Sequence, residues 1–93
     1  MGQVTLKPRA LTAYSALSLN ADAGEGAVRV ELLDAGGRRV RGFSAEDSIP
    51  IHGDSLQHAV RWKERSLSTL PAGEYMIRLH LRKATVYAVD LAP

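Results

Sequence analysis

Carboxylates, imidazoles and aromatic rings are the residues here with chemistry to offer, and their spacing limits what they could do. Glu46-Asp47 is an adjacent acidic pair, and Asp54, Ser55 and His58 contain the residue types of a nucleophilic triad. Adjacent carboxylates on an extended chain diverge instead of facing one bond, and no nucleophile elbow surrounds Ser55. His52, His58 and His80 lack zinc-ligand spacing, and with no cysteine there is no disulfide, thiol chemistry or cysteine metal site. Glu46, Asp47 and Asp54 are weak calcium candidates, because a hard cation wants several carboxylate oxygens and their spacing matches no tight loop. Short acids in such stretches more often bond turn backbone. No cofactor is implied, and the chain reads as a non-enzyme.

The rings allow a different chemistry. Stacking on the CH face of a sugar needs exposed aromatics, with planar polar groups nearby for its hydroxyls. Tyr14, Trp62, Tyr75 and Tyr87, with Arg61 and Arg78, are the candidate carbohydrate-binding set. The competing assignment places Trp62 and Phe43 in the core, where each would bury well over ~100 Å². In a chain this poor in aromatics the core placement is the favoured expectation for Trp62 and Phe43.

The elements that must position these groups are strands. Val28, Val30 and Leu32 alternate with Arg29 and Glu31, and Asp34-Ala35-Gly36-Gly37 supplies a turn into a return strand at Val40. Tyr75, Ile77, Leu79 and Leu81 alternate with Met76, Arg78, His80 and Arg82 in the longest such run. Val4–Lys7, Leu11–Tyr14, Leu17–Asn20, His58–Trp62 and Val86–Leu91 read as further short strands. Lys83-Ala84 reads as the link of a hairpin joining the last two. Residues 44–57 lose periodicity and read as one long loop, and Leu67–Leu70 as a 3₁₀ turn or bend. Roughly six to eight strands, with turns every eight to twelve residues, predict an all-β, antiparallel β-sandwich of Greek-key or jelly-roll type, with a small barrel as the alternative. If the strands holding Arg29, Glu31, Arg78, His80 and Arg82 are neighbours, one sheet face carries a charge ladder. Such a face could be solvated, docked or sugar-binding.

Ninety-three residues make one domain, expected over residues 3–92, with one modest core and roughly two-thirds of its unfolded surface buried. The net charge is +2, with basic and acidic residues interspersed. The densest basic run, Arg38-Arg39-Val40-Arg41, is a short turn, so nucleic acid is not the expected partner. No apolar run is long enough for a bilayer, so no membrane partner is expected. No basic-then-apolar signal opens the chain, and the signal of a secreted parent would lie upstream.

The order Val28–Arg38, then Gly42-Phe43-Ser44, Glu46-Asp47, Pro50, Gly53-Asp54-Ser55, Val60-Arg61-Trp62, Arg78–Ala84 and Val86-Tyr87 resembles a known module. It is similar to the carboxy-terminal accessory β-sandwich of bacterial glycosidases whose catalytic part is a five-bladed propeller of the fructosidase/arabinanase kind. The resemblance implies a non-catalytic, glycosidase-associated accessory domain, for carbohydrate interaction or for packing on a catalytic propeller domain. An autonomous carbohydrate-binding module is the alternative, and a small nucleic-acid-binding or catalytic β domain a remote one. It also implies a polysaccharide or propeller partner, an extracellular or periplasmic setting if the parent is secreted, and a homo-oligomer should the docking face pair with itself.

Overall fold

Tyr75, Ile77 and Leu79 turn to one side of their strand and Met76, Arg78 and His80 to the other, and that period organises the first of two sheets. The computed structural model describes residues 2–11, 14 and 16–92. It contains strands β1 (Gly2–Thr5), β2 (Arg9–Ala10), β3 (Ala16–Asp22), β4 (Ala27–Asp34), β5 (Asp54–Ala59), β6 (Glu74–Arg82) and β7 (Thr85–Ala92), with a 3₁₀ turn at Leu67–Thr69. In the first sheet β6 is central, with β4 on one edge and β1 and β2 in succession along the other. Pro8 falls between β1 and β2, where a residue without an N–H cannot extend the ladder. The second sheet runs β5-β3-β7, and every pairing is antiparallel.

The two sheets form a β-sandwich. Leu17, Leu19 and Ala21 from β3 meet Val28, Val30 and Leu32 from β4 and Tyr75, Ile77 and Leu79 from β6 in one buried cluster. Full burial of each of the larger aliphatic side chains contributes about 1.5–3 kcal/mol. Every step from β3 to β7 changes sheet, the crossing pattern of a jelly roll and not of a meander. Lys83-Ala84 is therefore not a hairpin link: β6 and β7 lie in different sheets, and Lys83 takes a positive φ of 48° as the chain arches between them. The expected strand at His58–Trp62 begins earlier, at Asp54, and leaves Trp62 in a single bridge to Ser48. The return strand at Val40 is likewise reduced to a bridge between Leu33 and Arg39. Of the expected strand at Leu11–Tyr14, Thr12 and Ala13 lie outside the described residues, and pairing occurs at Arg9–Ala10.

β4 is an edge strand, yet its outward backbone groups are closed by irregular chain. Val28 exchanges both bonds with Ile51, Leu32 donates to the Phe43 carbonyl, and Val40 donates to the Leu32 carbonyl. Between them, side chains take over. The Val30 N–H donates to Ser48 Oγ at 3.0 Å, and Trp62 Nε1 donates to the Val30 carbonyl at 3.0 Å. Covering an edge in this way removes a template for aggregation. Ser48 is 0% exposed, so Ser48→Ala leaves a buried N–H unpaired and is expected to cost about 1–3 kcal/mol. A thermal melt checks this: the midpoint should fall by roughly 5–15 °C, and a shift under about 2 °C would contradict it.

Candidate functional site

Residues 44–52 stand over the start of β4 and the end of β6, and between them lies a basin of about 670 Å³. Its walls carry Glu25 and Arg29 from the β4 side, Glu46, Pro50 and His52 from the loop, and His80 and Arg82 from β6. Register explains the convergence. Ala27 pairs with Arg82 and Arg29 with His80, while the Val28–Ile51 bridge draws His52 against the same strand end.

Both imidazoles are tethered at one nitrogen. His52 Nδ1 lies 2.9 Å from the Gly26 carbonyl, which can only accept, so Nδ1 carries the proton and Nε2 keeps a lone pair in the neutral ring. His80 Nε2 lies 3.0 Å from Glu31 Oε1. With Glu31 a carboxylate, Nε2 donates, and in the neutral ring Nδ1 keeps the lone pair. Glu31 is only 3% exposed, and its other oxygen meets Arg39 Nε at 3.3 Å. Arg29 donates to the Ala45 carbonyl at 3.3 Å, which fixes the loop to the strand. The basin thus offers guanidinium donors, lone pairs of neutral imidazoles and the exposed carboxylates of Glu25 and Glu46 together with apolar lining from Pro50 and Leu81. Its lining holds no hydroxyl or thiol nucleophile.

No family model, curated protein or solved structure matches the chain.

The candidate residues read from sequence are dispersed. Trp62 is 5% exposed and packs edge to face on Phe43, with ring centroids 5.0 Å apart. Tyr75 is buried, and its hydroxyl donates to the Pro71 carbonyl at 2.6 Å. Neither ring presents a face to a ligand, so a four-ring platform is not assembled. Tyr14 is half-buried, and Tyr87 is 66% exposed on β7. Tyr87 stands at the lip of a second, apolar groove of about 340 Å³ that also holds Val4, Leu6 and Val89. Arg61 is exposed, and Arg78 donates to Thr5 Oγ1 at 3.0 Å.

The expected charge ladder does form, with Glu31 opposite Arg78 and Arg29 opposite His80. Its close contact is the diagonal one, from Glu31 to His80. Of the calcium candidates, Asp47 accepts from Ser44 Oγ at 2.8 Å, Glu46 lines the basin, and Asp54 sits opposite Asp22 in the second sheet. Among the described residues no group of three or more His, Asp or Glu is placed to hold a metal ion. Ser55 and His58 each bond backbone, to Gln57 and Ala21 respectively, and not one another. Sequence reasoning missed Glu25, Pro50 and His52. The loss of periodicity over residues 44–57 was the available signal, since a loop held over a strand end is a natural ligand wall.

Proposed function

We propose that this domain is a non-catalytic accessory β-sandwich of a glycosidase-like protein, and that it holds a saccharide in the basin above β4 and β6. One observation carries the reading: donors, lone-pair nitrogens, carboxylates and apolar side chains line a single concavity. A polyhydroxylated ligand needs both hydrogen-bonding senses at close spacing, plus a surface for its CH groups. Arg29 and Arg82 supply planar donors, Glu25 and Glu46 accept from hydroxyls, and His52 and His80 accept through their untethered nitrogens. The two exposed glutamates share open solvent, whereas hydrolytic carboxylate pairs depend on unlike surroundings. Packing on a catalytic neighbour is the second reading, favoured by the apolar groove beside Val4 and Tyr87, both exposed.

Affinity electrophoresis of the whole chain against a panel of neutral plant and bacterial polysaccharides tests the first reading. At least one polymer should retard the protein. The Arg82→Ala/Glu46→Ala double variant removes two exposed side chains that bond no partner among the described residues, so the fold should persist. Its binding should weaken at least about tenfold, as expected for one or two lost hydrogen bonds to charged groups. Unaltered migration on every polymer would eliminate the saccharide reading.

A further inference from the structure

The Phe43–Trp62 contact joins two segments that are remote in sequence, and each arrives carrying cations. Arg38, Arg39 and Arg41 come with the turn after β4, and Lys63 and Arg65 with the chain that follows Trp62. The Arg65 side chain lies across Gly42, where an added Cβ would come within 2.5 Å of its Cγ. The Lys63 N–H donates to the Asp47 carbonyl, which keeps that segment against residues 44–48. All five basic residues are exposed. Among the described residues the arginine or lysine ion pair is Arg39–Glu31, so the side chains of Arg38, Arg41, Lys63 and Arg65 form no ion pair, although the Arg38 N–H donates to Asp34 Oδ1 in the turn. Neighbouring charges of one sign raise the free energy of a surface unless something of opposite sign binds it.

We propose that this patch binds an acidic polysaccharide, with Arg38, Arg41 and Arg65 taking sugar carboxylates and Lys63 adding a point charge. Three of the four unpaired cations are arginines, whose planar fork matches a carboxylate with two parallel bonds. Nucleic acid fits less well. Phe43 and Trp62 lie beneath the patch with their faces buried, so no base stacks there. Glu64 is exposed within the same run and would oppose a duplex that carries a charge every ~1.7 Å. A polyuronate separates its carboxylates by neutral hydroxyls, which Glu64 can accept from. The choice of a saccharide as carrier of those carboxylates rests on the function proposed above, whereas Arg38 and Arg41 lie at the turn end of β4, away from the basin, and Lys63 is held at Asp47 beside the basin's Glu46. From Arg29 to Leu33, where the turn begins to pair, is roughly 13 Å along β4.

The test is polygalacturonate binding by the whole chain, followed by calorimetry across a salt series. Binding should weaken as salt rises, and the Arg38→Gln/Arg41→Gln/Arg65→Gln variant should lose at least tenfold. Binding of a neutral polymer through the basin should be unchanged in that variant. Should the triple variant fold poorly, the salt series on the parent protein still decides, because a salt-independent affinity overturns the proposal. Methyl-esterified polygalacturonate binding as tightly as the acid form overturns it too, while leaving the basin reading intact. Loss of polygalacturonate binding in Arg82→Ala/Glu46→Ala with the patch variant unaffected moves the polymer to the basin and overturns it. Equal or tighter binding of duplex DNA at the same charge concentration replaces the saccharide with nucleic acid.

Discussion

Trp62→Ala should remove about a fifth or more of the total stability. The ring is buried between β4 and residues 43–48, makes an edge-to-face contact with Phe43, and donates to the Val30 carbonyl. Deleting a buried aromatic costs about 3–5 kcal/mol, while a domain of this length has roughly 5–14 kcal/mol in hand. The thermal midpoint should fall by more than ~12 °C. Trp62→Phe separates the contributions: it keeps most of the apolar volume but leaves the Val30 carbonyl without its donor, a loss of about 1–3 kcal/mol. Urea midpoints should therefore rank parent, then Trp62→Phe, then Trp62→Ala. A Trp62→Ala protein melting within a few degrees of the parent would mean that the ring is not the edge closure described, and that a platform role is open again.

The legible and illegible parts of the fold divide along one physical line. β4 and β6 were readable because their two faces meet different media: Val28, Val30, Leu32, Ile77 and Leu79 enter the core while Arg29, Arg78 and His80 do not. β5 was not readable. None of its residues is buried, Leu56 is 81% exposed, and the register of β3 against both β5 and β7 shifts near Asn20 and Ala21. A bulge of that kind breaks period two without any composition signal. Tyr87 is the extra residue of the β7 bulge, since Asn20 pairs with Ala88 and Ala21 with Val86, so strand parity could not tell which way its ring turns. Lys83-Ala84 is as short as a hairpin link, and only the direction of the next strand makes it an arch between sheets. The basin and the basic patch were invisible for a shared reason. Glu25, His52 and Arg82 come to line one cavity, and Arg65 comes to lie across Gly42, through tertiary placement that no local pattern encodes.

The tightest of those contacts yields the other large effect, in Gly26→Ala. A Cβ at Gly26 would lie 1.7 Å from the Arg82 carbonyl oxygen, 2.7 Å from its carbon and 2.8 Å from the Lys83 oxygen. These are backbone atoms, so no rotamer change relieves the overlap. Gly26 is also held from both sides: its N–H donates to the Ala23 carbonyl at 2.6 Å, and its own carbonyl meets His52 Nδ1. An alanine must therefore push the start of β4 away from the end of β6 and open the arch toward β7. Overpacking of this severity is expected to cost about 3 kcal/mol or more. Gly53→Ala is the control for backbone conformation alone. Its φ is +80° and an added Cβ would meet nothing within 4 Å, so the cost should stay near 1–2 kcal/mol. Chemical denaturation should place the Gly26→Ala midpoint well below that of Gly53→Ala, and equal midpoints would show that β4 and β6 are not so closely apposed. The same displacement would separate His52 from Arg82, so whatever fraction of Gly26→Ala still folds should lose neutral-polysaccharide binding. Gly53→Ala changes nothing between those two side chains and should keep it.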